Sequence, residues 1–267
     1  MLAYPAGHSL SPAMHNAAFE KLGIDAKYEF FETPPEKLEE FIQRVRDEHI
    51  AGLSVSIPHK EKIIPFLDEV EDAAKEIGAV NTVFWQGGKL VGTNTDWLGF
   101  LESFDKPIEN KKVVVLGGGG AARAIVFALL EKNCEVTIVT REAWEFEGLK
   151  KDFGDRIQNF DFIQNLENYD PDILINSTPL GMKGKFEGMS FVDSKWFEKH
   201  QPLVFDIVYN PRETKLLKDA RKAGCETIEG LEMFAWQGVF QFKKFTGKET
   251  DFFVMHNAAI AELEKRN

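Results

Sequence analysis

A run of four glycines between an apolar segment and an alanine-rich segment constrains the fold of this chain more than any other feature. Val113–Leu116 is continuously apolar, Gly117–Gly120 follows it at once, and residues 121–132 carry the apolar pattern of a helix. Continuous apolar strands are typical of parallel sheets that are covered on both faces. Further strands of this kind are predicted at 135–139, 172–176 and 203–208. The alternation of strands and helices therefore predicts an α/β fold with a doubly wound sheet.

The glycine turn also fits the fingerprint of a dinucleotide-binding, Rossmann-type domain, with Ala122 in the third small-residue position. The predicted strand before it, the helix after it and the next strand supply the context that this motif requires. Glycines let the backbone approach a pyrophosphate, and a helix N-terminus offers free N–H groups. The alternative is a tight turn that serves packing alone. The context favours nucleotide binding, and the candidate residues are Gly117, Gly118, Gly119, Gly120 and Ala121.

The chain before Lys112 alternates helix and strand signals and predicts a separate α/β domain at the N-terminus. Ser11-Pro12 is a favourable helix start, and Thr33–Glu36 has the spacing of a capping box. A strand is predicted at 52–57, and a hairpin is predicted around Gly87-Gly88. Two late helices, 233–245 and 252–265, complete the pattern. We expect a substrate-binding domain made of residues 1–101 and 238–267, and a dinucleotide-binding domain made of residues 102–237.

Composition and charge exclude several other classes of protein. Apolar residues make up 43% of the chain, and the formal net charge is −11. The charge argues against binding to a nucleic-acid backbone, and no apolar run has the length of a membrane span. Cys134, Cys225 and the scattered histidines have neither metal-ligand nor redox spacing. We therefore expect a cytoplasmic protein with a small-molecule substrate, no metal, no nucleic acid and no membrane, as a monomer or homodimer.

The end of the second strand of the glycine-turn domain bears on the choice of cofactor. Enzymes that use NAD usually place a carboxylate there, where it binds the ribose 2′-hydroxyl. Here Thr140-Arg141 occupies that place, and a guanidinium is suited to a 2′-phosphate. The alternative is an exposed surface arginine. The pattern favours NADP, with Glu142 adding a negative charge beside the phosphate.

Four polar strings lie at predicted strand-to-helix junctions, where loops commonly carry function. They are Ser9–Pro12, Ser54–Lys60, Gly78–Thr82 and Gly92–Asp96. Together with the glycine turn, Asn176–Met182 and Gly230–Gln237, the set resembles the shikimate dehydrogenase family. The motifs stand in the order of that family and cover nearly the whole chain.

The resemblance implies a two-domain oxidoreductase with its active site in the cleft, which reduces 3-dehydroshikimate to shikimate with NADPH in aromatic amino-acid biosynthesis. Lys60 and Asp96 would be the catalytic pair. Hydride delivery to a ketone builds negative charge on its oxygen, and a lysine held by an aspartate can supply both charge and proton. The substrate would be bound by Ser9, Ser11, Ser56, Asn81, Tyr209 and Gln237. Besides the glycine turn, the cofactor would be bound by Thr140, Arg141, Thr178, Met182 and Gly230.

Each of these polar residues also has a plainer interpretation. Ser11 can be a helix cap, and Asp96 can cap a helix that begins at Trp97. Asn81 can be a turn residue and Gln237 can face solvent. Lysines are usually exposed, although Lys60 stands at the start of a predicted helix, where a cation is disfavoured.

Two other functions stay open on the sequence alone. One is a quinate/shikimate dehydrogenase with looser substrate and cofactor choice, because Glu142 stands where the family commonly has threonine. The other is a nucleotide-sensing relative without catalysis. The presence of both Lys60 and Asp96 favours an enzyme, since a sensor needs neither.

Overall fold

The structure is a computed structural model that describes residues 1–7 and 9–266. The chain divides into two compact units, residues 1–99 with 235–267 and residues 100–234. The sequence predicted the two boundaries after residues 101 and 237, slightly later along the chain than the observed boundaries after residues 99 and 234. That the two units act as a substrate domain and a cofactor domain stays a prediction.

The first part of the chain, up to Glu102, forms the short strands and four α-helices of the N-terminal unit. In chain order its elements are β1 Leu2–Ala3, α1 Ser11–Lys21, β2 Phe31–Glu32, α2 Leu38–Asp47, β3 Gly52–Ser54, β4 Glu69–Val70, α3 Asp72–Ile77, β5 Thr82–Gln86, β6 Lys89–Thr93 and α4 Asp96–Glu102. A four-stranded sheet has the order β3-β5-β6-β4, and β1 pairs with β2 in a separate parallel pair. The predicted hairpin is confirmed, since β5 and β6 are antiparallel on either side of Gly87-Gly88. The unit's core contains Leu38, Leu53, Val80 and Leu90.

The second unit is a six-stranded, fully parallel sheet with helices between its strands. Its elements are β7 Lys112–Leu116, α5 Gly120–Glu131, β8 Glu135–Thr140, α6 Trp144–Phe153, β9 Asn159–Phe162, β10 Ile173–Asn176, α7 Ser194–His200, β11 Leu203–Asp206, α8 Lys215–Lys222 and β12 Thr227–Glu229. The strand order is β12-β11-β10-β7-β8-β9. The order reverses between β7 and β10, which is the switch point where doubly wound sheets bind ligands. The predicted fold class is therefore confirmed.

Two long helices close the chain. They are α9 Gly230–Thr246 and α10 Phe252–Arg266, close to the ranges expected from the sequence. Helix α10 packs along α1, and a Cβ atom added at Gly238 of α9 would lie 2.5 Å from the Met14 side chain of α1. The absence of a side chain at Gly238 thus lets α9 approach α1 closely.

Two local expectations for the N-terminal unit were wrong. Residues 58–63 form consecutive turns, followed by a 3₁₀ helix at Ile64–Phe66, so Lys60 does not begin an α-helix. A 3₁₀ helix at Pro35–Lys37 precedes α2, and the capping box expected at Thr33–Glu36 is not formed among the described residues.

Among residues 1–7 and 9–266, the structure contains no helix that combines the length and the apolar character needed to cross a membrane.

Asp206, at the end of β11, is fully buried among hydrogen-bond donors. Its Oδ1 accepts from Asn176 Nδ2 at 2.8 Å and from the Val208 N–H at 3.1 Å, and its Oδ2 accepts from Thr214 Oγ1 at 2.6 Å. Burial is the larger effect and raises the pKa of Asp206 from 3.8 to about 6, while these bonds oppose the rise. Between those pH values the folded chain holds a proton that the unfolded chain has released.

We predict that this single group lowers the free energy of unfolding by about 3 kcal/mol as the pH rises through that window. Asp206→Asn removes the titration and should remove this part of the pH dependence. Urea unfolding of both proteins at several pH values between 4 and 7 measures the difference. A difference between variant and parent that is constant over the range would contradict the assignment.

Candidate functional site

Three predicted site residues, Lys60, Asn81 and Asp96, meet in the N-terminal unit. Lys60 Nζ donates to Asp96 Oδ2 at 2.7 Å, and Asn81 Nδ2 donates to Asp96 Oδ1 at 2.7 Å. The side chains of Lys60 and Asp96 are 25% and 15% exposed, whereas Asn81 is buried. The carboxylate thus bridges a cation and a neutral donor at a partly accessible place. Such a partly shielded ion pair can both bind a polar ligand and move a proton.

The antiparallel β5–β6 hairpin positions Asn81 and Asp96. Asn81 directly precedes β5, and its side chain forms hydrogen bonds with residues that follow β6. The Thr95 N–H donates to Asn81 Oδ1 at 2.8 Å, and Thr82 Oγ1 donates to the same oxygen at 2.6 Å. The Asp96 N–H donates to Asn94 Oδ1 at 2.9 Å. These bonds fix the orientation of the Asn81 amide, and its contact with a substrate stays a prediction.

Lys60 is held by its backbone and by its neighbour. The Lys60 carbonyl accepts from the Val80 N–H at 2.8 Å, next to Asn81. The imidazole of His59 is buried and donates from Nε2 to the Thr33 carbonyl at 2.8 Å. Burial lowers the pKa of His59, which favours the neutral ring that this single bond needs. The backbone of Lys60 is therefore anchored on both sides while its ammonium reaches Asp96.

Ser9 and Ser11 lie at the entry to α1, and both are buried. Ser9 Oγ accepts from the Ser11 N–H at 3.1 Å and donates to Ser11 Oγ at 3.0 Å. The N-cap residue of α1 is Leu10 and no described side chain caps this helix, so the alternative that Ser11 is a helix cap was wrong. Ser11 occupies the first helical position instead, followed by Pro12. The two hydroxyls form one small polar group in the buried entry turn.

Ser56 and Gln237 come from different parts of the same unit. Ser56 is half-buried just after β3, and its N–H donates to the Leu2 carbonyl at 2.9 Å. Gln237 lies on α9 and is buried, so the alternative of a solvent-facing side chain is excluded. The structure thus places every predicted substrate-binding residue of this unit outside the fully exposed surface.

The sequence interpretation missed a buried pair that supports Asn81. Ser54 Oγ donates to Gln241 Oε1 at 2.6 Å, and Gln241 Nε2 donates to the Asn81 carbonyl at 3.2 Å. Gln241 follows Gln237 by one helical turn of α9, and residues at that spacing share a face. That spacing, together with Ser54 in the same string as Ser56, was the available signal.

In the second unit, the glycine turn joins β7 to α5 at the carboxyl end of the parallel sheet. A Cβ atom at Gly117, whose φ is +98°, would lie 2.7 Å from Thr178 Cγ2, and one at Gly118 would lie 1.9 Å from the Glu145 carbonyl oxygen. By contrast, Cβ atoms at Gly119 and Gly120 would meet no described atom within 4 Å. The first two glycines are therefore required by packing, and the next two leave the backbone open to a ligand.

A cavity of about 220 Å³ lies against this turn, entirely within the second unit. Five of the residues predicted to bind the cofactor line it, namely Gly117–Gly119, Arg141 and Thr178. It also includes residues that the sequence interpretation missed, namely Trp144, Glu145, Ser177, Pro179, Leu180, Phe186 and Phe191. Thr178 Oγ1 donates to Asn176 Oδ1 at 2.6 Å, which orients it at the end of β10. The open glycine backbone, Arg141 and Thr178 thus border one cavity whose other walls are mostly apolar.

Thr140 is the last residue of β8 and Arg141 follows it directly, so both lie at the end of this strand as the sequence predicts. Thr140 is buried and its Oγ1 donates to the Glu142 carbonyl at 3.1 Å, which shapes the turn into α6. The Arg141 guanidinium lies 3.6 Å from a Glu145 carboxylate oxygen and 5.9 Å from the centre of the Phe191 ring. Arg141 thus borders the cavity with a side chain that is 62% exposed, and its contact with a cofactor stays a prediction.

The remaining predicted residues of this unit lie around the same edge of the sheet but do not line the cavity. Gly120 and Ala121 begin α5, and Gly230 begins α9. A Cβ atom at Gly230 would lie 2.3 Å from the Ile207 carbonyl oxygen, so only glycine fits. Met182 is 44% exposed. Tyr209 is half-buried with its ring centre 4.6 Å from that of Phe234.

Three family profiles match the chain. Residues 1–83 match the description "Shikimate dehydrogenase substrate binding domain", residues 101–232 match "Shikimate / quinate 5-dehydrogenase", and residues 230–260 match "Shikimate 5'-dehydrogenase C-terminal domain". A shikimate dehydrogenase (NADP⁺) of Pelobacter propionicus is 44% identical over 93% of this chain and 90% of its own length. The chain belongs to the shikimate dehydrogenase family.

Solved structures of the family have the same fold. A shikimate 5-dehydrogenase of Thermus thermophilus, in complex with NADP(H) and shikimate, is 36% identical with a TM-score of 0.87 over 97% of both chains. One of Listeria monocytogenes, in complex with shikimate and NAD, is 35% identical with a TM-score of 0.89 over 96% of this chain and 93% of its own. A 5-ketofructose reductase of Gluconobacter is 31% identical with a TM-score of 0.86, over 98% of this chain and 96% of its own.

In the described part of this family member, no group of three or more His, Cys, Asp or Glu side chains is arranged to hold a metal ion. The polar residues brought together are instead amides, hydroxyls and one lysine–aspartate pair.

The glycine turn of this shikimate dehydrogenase relative allows a matched pair of substitutions. We predict that Gly118→Ala lowers the free energy of unfolding by about 1–3 kcal/mol, because its methyl group would overlap the Glu145 backbone. Gly120→Ala lies in open space at the first helical position and should leave stability unchanged or raise it by about 0.5–1 kcal/mol. Urea unfolding measures both.

The same two variants separate packing from ligand binding. If the turn receives a pyrophosphate, Gly120→Ala should weaken NADP⁺ binding by ~10-fold in calorimetry despite its intact stability. Unchanged binding by a stable Gly120→Ala protein would show that this glycine serves only the turn.

Proposed function

We propose that this chain is an NADP-dependent shikimate dehydrogenase, which reversibly reduces the ring ketone of 3-dehydroshikimate to shikimate in aromatic amino-acid biosynthesis. The observation that carries the proposal is the arrangement of Lys60, Asp96 and Asn81, in which one carboxylate holds the ammonium and the amide together. Relatives of about 40% identity over nearly the whole chain bear the name shikimate dehydrogenase (NADP⁺).

The residues of the second unit fit the cofactor. The open backbone at Gly119 and Gly120 and the start of α5 would bind the pyrophosphate, and Arg141 would bind the 2′-phosphate. Gly117, Gly118, Ala121, Thr140 and Thr178 would shape this site, and Met182 and Gly230 would lie on the nicotinamide side. The bound cofactor supplies the hydride that reduces the ketone carbon.

Lys60 and Asp96 would handle the proton. As negative charge builds on the ketone oxygen, the Lys60 ammonium stabilises that charge and donates a proton from Nζ. Asp96 keeps the ammonium in place, and its second oxygen is fixed by Asn81 Nδ2 at 2.7 Å. In the direction of shikimate oxidation, Nζ receives the proton from the ring hydroxyl.

The polar residues of the N-terminal unit would bind and orient the substrate. Ser9 and Ser11 would donate to the carboxylate, since their two hydroxyls are joined at 3.0 Å and belong to one buried turn. Ser56, Asn81 and Gln237 would bind the ring hydroxyls, and Tyr209 would add a further hydroxyl contact. Hydroxyls and amides can both donate and accept, which suits the ring hydroxyls of a polyhydroxylated acid, and the serine hydroxyls can donate to its carboxylate.

We predict that Lys60→Ala lowers kcat by ~10²–10⁴ with a much smaller change in KM, as expected for a lost acid–base group. Asp96→Asn should also lower kcat. The loss of activation free energy in the double variant should be smaller than the sum of the losses in the two single variants, because the two side chains contact each other. Steady-state rates at the absorbance of reduced nicotinamide give all three values. Near-parental kcat in Lys60→Ala would exclude this mechanism.

Substrate and cofactor choice are tested in one four-way assay with shikimate or quinate, each with NADP⁺ or NAD⁺. The proposal expects the highest kcat/KM with shikimate and NADP⁺. Similar activity on quinate would support the broader quinate/shikimate dehydrogenase, and no turnover with binding of NADP⁺ would support a nucleotide sensor.

We predict that Arg141→Ala raises the KM for NADP⁺ by ~10-fold and barely alters the KM for NAD⁺, because a charge-assisted bond to the phosphate is lost. Equal effects on both cofactors would mean that Arg141 contacts the adenine or lies elsewhere when the cofactor binds.

The proposal includes cytoplasmic action on small molecules only, by a monomer or homodimer. Light scattering coupled to size exclusion distinguishes these two oligomeric states.

A further inference from the structure

The ion pair between Arg141 and Glu145 bears on how the cofactor is selected. Arg141 directly follows β8, and Glu145 stands in the first turn of α6, with 3.6 Å between Arg141 Nη2 and Glu145 Oε1. Both residues line the cavity beside the glycine turn. The guanidinium that would receive a 2′-phosphate is therefore already in contact with a carboxylate.

Glu145 is held in this position by the glycine turn itself. A Cβ atom at Gly118 would lie 1.9 Å from the Glu145 carbonyl oxygen, so the Glu145 backbone rests directly on the turn. The Glu145 side chain is only 14% exposed, whereas that of Arg141 is 62% exposed. The Glu145 backbone is thus held against the turn while its carboxylate is shielded, and a shielded charge is screened less by salt than an exposed one.

These contacts affect NADP and NAD in opposite directions. A 2′-phosphate that binds Arg141 must approach the Glu145 carboxylate, and like charges at short range repel each other. A ribose 2′-hydroxyl carries no charge, and a carboxylate near the end of this strand can accept its hydrogen bond. The carboxylate therefore lowers the affinity for NADP without lowering the affinity for NAD.

We propose that Glu145 is a specificity-determining residue that narrows the preference of this protein for NADP over NAD by pairing with Arg141. This inference rests on the proposed NADP-dependent function. The sequence interpretation gave a similar part to Glu142, but the carboxylate that the structure places on the Arg141 guanidinium belongs to Glu145.

The test compares two charge-neutralising variants of the full chain. Glu145 and Glu147 are both acidic residues of the first turn of α6, where a helix N-terminus favours negative charge. Glu147→Gln is therefore the matched control, because it removes the same charge from the same helical turn outside the cavity lining. Thermal unfolding of each variant without ligand measures how the substitution itself changes the stability of the protein.

Calorimetric titration supplies the decisive measurement, with NADP⁺, NAD⁺ and the fragments adenosine 2′,5′-bisphosphate and AMP as ligands. Glu145→Gln should lower the Kd of NADP⁺ and of the bisphosphate by ~5–10-fold and leave those of NAD⁺ and AMP equal or higher. Glu147→Gln should change the Kd values of all four ligands by less than about 2-fold. An unchanged ratio of the NADP⁺ and NAD⁺ Kd values in Glu145→Gln, or an equal change in both variants, would overturn the proposal.

A second background tests whether Glu145 acts through Arg141. In an Arg141→Ala protein, adding Glu145→Gln should improve NADP⁺ binding less than it does in the parent, since the pair is already broken. The same improvement in both backgrounds would refute the pairing. If the parent binds neither dinucleotide, or binds them without oxidising shikimate, the proposed function fails instead, and the two failures are distinguishable.

Discussion

The carboxylate of Asp96 is the group on which the polar site of the N-terminal unit depends. Its two oxygens accept from Lys60 Nζ and Asn81 Nδ2, each at 2.7 Å. A carboxylate that is only 15% exposed is costly to keep ionised without partners, and these two donors offset that cost. Because Asn81 is in turn held by Thr82 and the Thr95 N–H, the hairpin β5–β6 and the site form one hydrogen-bonded structure.

The second unit depends on a different constraint, the close approach of backbone segments at the carboxyl end of a parallel sheet. Gly117 lies against Thr178 after β10, and Gly118 lies against Glu145 in α6. Side chains at these two positions would separate the segments that surround the cavity. The backbone segment that packs against Gly118 also carries the Glu145 side chain, whose carboxylate lies 3.6 Å from the Arg141 guanidinium.

The periodic and turn-forming parts of the sequence predicted much of the fold. Val113–Leu116, the glycine turn and the following helix were recognisable because a buried parallel strand and a Gly-rich turn leave strong patterns. Strands such as β9 and β12 were missed, since they are short edge strands of mixed polarity. At Lys60 the expected helix is a series of turns, because Pro58 and the bond of His59 to Thr33 hold the segment in another conformation.

The sequence by itself determined the fold class, the glycine turn and the set of candidate polar residues, because these follow from local periodicity and from motifs. Only the tertiary structure decided the pairings, such as Asp96 with both Lys60 and Asn81, or Gln241 with Ser54. It also decided that Glu145 rather than Glu142 contacts Arg141, since helix α6 brings a residue one turn away back to the strand end. Side-chain contacts of this kind depend on how elements pack in three dimensions, and no period along the chain encodes that geometry.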